Sequence, residues 1–259
     1  MKSTMIAAAI LAVISGATVA AEYQPVTDAR LAKPEPQNWL LTKGNYAGWS
    51  YTELDQITPA NVKKLRPVWS SATGVLSGHE APAIVNGQYM FVATPHNHVF
   101  AYNAKTGEQL WHFQREVPIG IGALHRTNRG VSLYNDKVYV GSVDCMLSAL
   151  DAKTGKLLWD AKVCDWEVDS AYITSAPLAV KGKIIIGPSG GEFGVRGFIK
   201  AFDAETGELA WTRYSVPAPG EEGSETWPQE GQFKDAWKNG GGTMWMPGNY
   251  DVKNEVIYW

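Results

Sequence analysis

The sequence predicts an all-β protein built as a β-propeller of four-stranded blades, and three observations carry that prediction. One segment recurs three times: AYNAKTGEQLW at Ala101 to Trp111, ALDAKTGKLLW at Ala149 to Trp159, and AFDAETGELAW at Ala201 to Trp211, with starts 48 and 52 residues apart. A repeat of that period is the mark of stacked or radially arranged units. Short β-branched and aromatic runs fill the intervals, broken by 26 Gly and 14 Pro, as alternating strands and turns require. Helix signals are scarce. Only Thr58-Pro59-Ala60 opens a predicted helix, with Thr58 as N-cap and Pro59 in the first helical position, running to about Leu65.

The elements of each unit follow in a set order. A β-prone stretch such as Val99 to Tyr102 leads in. Asn103, Asp151 or Asp203 can then accept from turn amides, and Gly107, Gly155 or Gly207 can take positive φ. The next strand ends on a Trp, which needs an apolar slot for its ring and an acceptor for its indole N–H. Another strand lies upstream of each copy, at Gln88–Val92, Lys137–Val140 and Lys183–Ile186, and a further one at Ala81–Val85 completes the first unit. Four strands per period of about 50 make a propeller blade. The outer-strand Trp is expected to dock against the neighbouring blade. The count is about three blades and the start of a fourth, ending inside a strand at Glu255–Trp259. An open fan leaves a raw sheet edge, so the chain is expected to be a fragment of a longer protein.

Residues 1–21 read as a signal peptide, with Lys2 as the positive start, Met5 to Ile14 as the apolar run and small residues from Ser15 to Ala21. No lipid-attachment Cys follows, so a soluble exported product is expected. Residues 22–259 then form the partial propeller domain. A net charge of −3 speaks against a nucleic-acid surface. Cys145 and Cys164 flank a predicted hairpin that brings them close to opposite each other. Export permits a disulfide, and a disulfide and two free buried thiols both fit the sequence.

The Ala-x-Asn/Asp-x-x-Thr-Gly-x-x-x-Trp unit, with the entry NWLLTKGNYAGWSYTELDQITPANVKKLRPVW, resembles the tryptophan-docking motif of the quinoprotein family. Members of that family close eight four-stranded blades into a ring and oxidise alcohols with pyrroloquinoline quinone (PQQ) and a bound metal. The resemblance runs from about Asn38 to the end and implies roles for particular residues. In PSGGEFGVRGF, Pro188 to Phe198, Glu192 matches the family's metal ligand, while Ser189, Gly190 and Gly191 match the close approach to the quinone. Glycine suits that approach because it has no side chain to clash. Thr174, in ITSAPLAV, matches a hydroxyl that holds a cofactor carboxylate. Arg129, in HRTNRGV, matches an arginine paired with the quinone oxygens and carboxylate, a task for a planar, permanently charged fork. Glu80, in HEAPAIV, matches a carboxylate beside the cofactor, and Trp245, in GGGTMW, the ring under the quinone.

One departure narrows the substrate. Methanol- and ethanol-oxidising members carry two adjacent Cys before Asn-Arg-Gly, where this chain has Ala123 and Leu124. His125 instead resembles the His that covers the other quinone face in sugar-oxidising relatives. The resemblance thus implies a PQQ-dependent alcohol dehydrogenase acting on an alcohol, polyol or sugar, with calcium or a lanthanide as its metal. It also implies periplasmic location and electron transfer to an acceptor such as a cytochrome c or membrane quinone. In family register the general-base Asp and a second metal ligand, an Asn, fall beyond Trp259, so no catalytic base is assigned. The same repeat also occurs in non-catalytic propeller scaffolds of the cell envelope, and a sugar-binding propeller would likewise use Trp and Gly-rich loops.

Overall fold

The Asn/Asp-x-x-Thr-Gly turns recur in space as they do in sequence. The computed structural model describes residues 22–259; the signal segment read at 1–21 lies outside them. In the first turn the Asn103 side chain accepts from the amides of Lys105 and Thr106. Asp151 does the same for Lys153 and Thr154, and Asp203 for Glu205 and Thr206. Each turn joins the two outer strands of an antiparallel four-stranded sheet. The first blade is β1 (Ile84–Asn86), β2 (Tyr89–Thr94), β3 (His98–Asn103) and β4 (Gln109–Gln114). The second is β5 (Ser132–Tyr134), β6 (Lys137–Gly141), β7 (Met146–Asp151) and β8 (Leu157–Lys162). The third is β9 (Leu178–Val180), β10 (Lys183–Ile186), β11 (Phe198–Asp203) and β12 (Leu209–Tyr214). A two-stranded hairpin, β13 (Asn249–Asp251) with β14 (Val256–Tyr258), begins a fourth.

Register confirms that the repeats are equivalent. Trp111 faces Ala101, Trp159 faces Ala149 and Trp211 faces Ala201, each just before a bulge. The small Ala leaves room for the indole across the pair, and the Trp111 and Trp159 rings then serve the next blade. The Trp111 indole donates to the Ala152 carbonyl at 3.1 Å, and that of Trp159 to the Ala204 carbonyl at 3.3 Å. Trp69, before the first blade, donates in the same way to Ala104 at 3.0 Å, so it is a third docking residue and one that the repeat did not mark. The Trp111 ring fills the space where Gly155, at φ +72°, would carry a side chain: a Cβ there would sit 2.6 Å from Trp111 Cε3. Glycine is required at this turn twice over, for its backbone conformation and for the ring.

Two expectations need correction. The helix from Thr58 does not form; only a 3₁₀ turn at Val62–Lys64 appears. The Asn61 side chain accepts from the Thr58 amide at 2.7 Å, as in a capping box, but the one i→i−4 bond, Val62 to Thr58, gives way at once to i→i−3 bonds. Residues 57–68 are also exposed throughout, so a short helix there would have no packed face to stabilise it. The first strand is Ile84–Asn86 rather than Ala81–Val85, because residues 80–83 form the approach to the strand. Two short helices went unread, α1 (Asp28–Ala32), capped by Thr27, and α2 (Trp166–Asp169), capped by Asp165. The cysteine alternatives resolve to a Cys145–Cys164 disulfide, lying just beyond the Met146–Lys162 pair of β7 and β8.

Residues 22–50 form a strap across the blades. Val26 bridges to Asn135 beyond β5, and Trp39 to Val85 in β1. The Tyr46 hydroxyl lies 2.8 Å from the Ala179 carbonyl in β9, and the Tyr46 carbonyl accepts from the Tyr250 amide in β13. Asp28 ties the strap to two blades by accepting from the Tyr46 and Tyr134 hydroxyls and the Lys181 amide, all at 2.7 Å. Within the strap, the Arg30 fork meets both Glu35 oxygens at 2.8 and 2.9 Å and also reaches Asn86.

Trp111→Ala should destabilise the protein by about 3–5 kcal/mol, the cost of emptying a buried aromatic site, read as a lower urea midpoint by circular dichroism. The Arg30 fork holds the Glu35 carboxyl well down, to about 2. A depressed carboxylate contributes stability that is fully present above its unfolded pKa and is lost as pH falls through the folded value. Glu35→Gln should therefore flatten the fall in melting temperature between about pH 4.5 and pH 2 relative to the unmodified protein.

Candidate functional site

A propeller's inner strands all begin on one face near the axis, so whatever precedes them converges. Glu80 lies four residues before β1, Arg129 three before β5, Thr174 four before β9 and Trp245 four before β13. The strap crosses the opposite ends of the same strands, as do the Asx turns between outer strands. One face therefore carries the candidate site and the other most of the strap's ties.

The converging side chains form one connected chain of contacts. The Arg129 guanidinium pairs with Glu80 at 2.8 Å and donates to the Thr174 hydroxyl at 2.6 Å. The Thr174 and Ser189 hydroxyls are 2.7 Å apart. The guanidinium also stands 4.9 Å from the centre of the Trp245 ring, within reach of a cation–π attraction. The Arg129 amide donates to the Thr174 carbonyl, so backbone as well as side chain fixes this pair. Thr174 and Ser189 are both 3% exposed. One hydrogen suffices for the bond between their hydroxyls, which leaves the other hydroxyl proton for a further acceptor.

Gly190 and Gly191 follow Ser189, and a side chain would be strained at the first and crowded at the second. Gly190 has φ +102°, and a Cβ there would approach the Ser170 carbonyl at 3.0 Å; at Gly191 it would approach Thr243 Oγ1 at 3.0 Å. Gly191–Phe193 is a 3₁₀ turn that carries Glu192 outward, exposed. Glu192 is linked to the cluster only through Tyr172, whose hydroxyl donates to Glu192 Oε1 at 2.7 Å and whose backbone carbonyl accepts from the Ser189 amide. Burial, and then this carboxylate, raise the Tyr172 phenol above the ordinary tyrosine range. A cavity of about 350 Å³ opens beside Glu80, Arg129 and Trp245, with Thr42 and Lys43 of the strap also in its wall.

Of the residues singled out from sequence, Glu80, Arg129, Thr174, Ser189 and Trp245 are joined by direct contacts, and Glu192 enters by way of Tyr172. His125 stands exposed on the loop between β4 and β5, and no hydrogen bond or ring contact ties it to the others among the described residues. Tyr172 and the strap pair Thr42 and Lys43 went unread. Tyr172 had a legible signal: in an extended segment the residue two before Thr174 points to the same side.

A family model described as "PQQ: Glucose/ethanol/alcohol dehydrogenase, beta-propeller domain" matches residues 39–259. The chain belongs to this quinoprotein dehydrogenase family. It is 36% identical to a lanthanide-dependent methanol dehydrogenase of Methylacidiphilum fumariolicum, over 96% of this chain and 45% of that protein. It is 39% identical to a quinohemoprotein alcohol dehydrogenase of Comamonas testosteroni, over 85% of this chain and 33% of that protein. The crystal structure of the Comamonas quinoprotein superposes with a TM-score of 0.81 at 37% identity, covering 89% of this chain and 36% of that one. The chain thus spans less than half the length of these quinoprotein relatives. The family match begins inside the strap, at Trp39.

Thr174→Val removes a buried hydroxyl placed between Arg129 and Ser189. It should cost about 1–3 kcal/mol, the penalty for leaving buried partners unsatisfied, measured by equilibrium denaturation of the ligand-free protein.

Proposed function

We propose that the protein containing this chain oxidises an alcohol, polyol or sugar by hydride transfer to PQQ, assisted by a bound metal ion. The observation that supports this best is the Glu80–Arg129–Thr174–Ser189 chain beside an accessible Trp ring. Its donors outnumber its acceptors: a five-donor guanidinium and two hydroxyls face one carboxylate, Glu80, which is itself 45% exposed at the side chain. Such a set fits the carboxylates of an anionic planar ligand. Glycines at 190 and 191 keep the wall beside it free of side chains.

In this reading Arg129, Thr174 and Ser189 bind cofactor carboxylate and carbonyl oxygens. Glu80 holds the guanidinium in place. Trp245 lies against one face of the ring system, and His125 covers the other. When bound, PQQ supplies a two-electron acceptor and the metal a Lewis acid beside it. Glu192 contributes one charged oxygen to a hard cation. Among the described residues no group of three or more His, Cys, Asp or Glu is arranged to hold a metal, so the rest of the shell belongs to other parts of the full-length protein. The general-base Asp belongs there too. Calcium is the proposed ion, with a lanthanide the alternative.

Ala123 and Leu124 stand where short-alcohol enzymes carry paired Cys, which favours a polyol, sugar or bulky alcohol. Export by the 1–21 segment would put the protein in the periplasm, with a cytochrome c or membrane quinone taking its electrons. The matched relatives named above are dehydrogenases, and no contact in the site favours the scaffold alternative.

Dye-linked oxidation of a panel of alcohols, polyols and sugars by the full-length protein, at saturating PQQ and calcium, tests this. Turnover on at least one class is expected, and Glu192→Gln should lower it at least tenfold while the melting temperature of the metal-free protein stays within a few degrees. A full-length protein inactive on the whole panel would return the chain to the scaffold class.

A further inference from the structure

We infer that Tyr172 is the positioning residue for Glu192, its phenol holding one carboxylate oxygen so that the other is presented to the metal ion. This rests on the proposed role of Glu192 as a metal ligand. Glu192 cannot orient itself: its side chain is exposed on a three-residue turn, where glutamate samples several rotamers. Tyr172 is the opposite case. It is 3% exposed, and its ring is held in a small apolar cluster of its own with Ile121 and Val143, apart from the main core. Its carbonyl accepts from the Ser189 amide at 2.6 Å. The residue before it, Ala171, has its carbonyl 3.3 Å from the sulfur of Cys145 in the disulfide. The phenol is thus a fixed donor aimed at a mobile acceptor, 2.7 Å from Oε1.

The chemistry of the donor matters as well as its position. A lysine or arginine in its place would orient the carboxylate but neutralise its charge. A neutral phenol orients it and leaves the full negative charge for a cation. Elsewhere on this face a carboxylate is held by a guanidinium, as Glu80 is by Arg129 and Glu221 by Arg196. No ion pair is made by Glu192 among the described residues. Hydrogen bonds from outside the metal's own ligands commonly change metal affinity by 10–100-fold.

The test uses the full-length protein and the variants Tyr172→Phe, Glu192→Gln and the two combined. Calcium Kd is measured by titration calorimetry, PQQ Kd in metal-free protein by Trp fluorescence quenching, and the fold is checked by thermal melting. Phenylalanine keeps the ring in its apolar cluster and removes only the hydroxyl. Tyr172→Phe should raise calcium Kd by about 10–100-fold and leave PQQ Kd within about twofold. The double variant should bind calcium no more weakly than Glu192→Gln alone. Calcium Kd unchanged in Tyr172→Phe but raised in Glu192→Gln would overturn the positioning role while keeping Glu192 as a ligand. Calcium Kd unchanged in Glu192→Gln would remove the ligand itself, and the inference with it. A Tyr172→Phe variant that weakens PQQ in metal-free protein as much as calcium would also overturn it, since the effect would then belong to the site's shape.

Discussion

The indoles of Trp69, Trp111 and Trp159 each lie against the turn of a following blade, and blade-to-blade order depends on that contact. A four-stranded sheet has two faces and must bury both. The Trp111 ring covers the Gly155 turn and donates to Ala152, so one side chain supplies apolar contact and satisfies its own polar atom. The glycine that lets the turn close also clears the space for the ring. A side chain there would meet the wrong φ and the indole together. Trp69 and Trp159 repeat the arrangement on the Gly107 and Gly207 turns. Trp211 holds the equivalent strand position and is 41% exposed.

With blades set by these contacts, the inner strands run side by side and their two ends take different duties. The far ends are tied by the strap, where Asp28 draws together Tyr46, Tyr134 and Lys181 from separate segments. Burial of this carboxylate works against its charge, but the hydrogen bonds from Tyr134, Lys181 and Tyr46 outweigh it and keep the pKa low. The near ends carry Glu80, Arg129, Thr174 and Trp245. Most of the strap's ties lie on the other face, with Thr42 and Lys43 reaching the candidate cavity among the near-side loops. These loops are not left loose. The disulfide and the cluster around Tyr172 brace this face from outside the axis. The Asp144 and Asp160 carboxylates, both held by Arg115, add a polar brace on the same rim.

The candidate site is a set of polar groups already paired with one another. Thr174 and Ser189 are buried with each other and with Arg129, so their desolvation is met by contacts already made. A guanidinium offers more donors than Glu80 can accept, and Arg129 lines the cavity shared with Trp245. Binding groups pre-set in this way lose little freedom when a ligand arrives.

How much of this was legible follows the range of the interaction involved. Blades, turns and docking tryptophans could be read because each rests on residues within one repeat: an Asx side chain two and three positions from the amides it holds, or an Ala ten residues before the Trp it faces. The candidate site residues were singled out only through resemblance, since Glu80 and Trp245 have no local pattern that separates them from a surface Glu or one more docking Trp. The Thr58 segment had the local signs of a helix and did not become one, because no apolar face was there to be buried. The strap, Trp69 and the choice between thiols and a disulfide lay beyond the sequence. Tyr46 meets Ala179 across 133 positions, and Lys181 meets Asp28 across 153. The sequence by itself determined the blade, because hydrogen bonding and side-chain alternation act between near neighbours. Only the tertiary structure decided which blade ends meet, what the strap crosses and which tyrosine faces Glu192, because those contacts exist only after the curvature of the whole fan brings distant segments together.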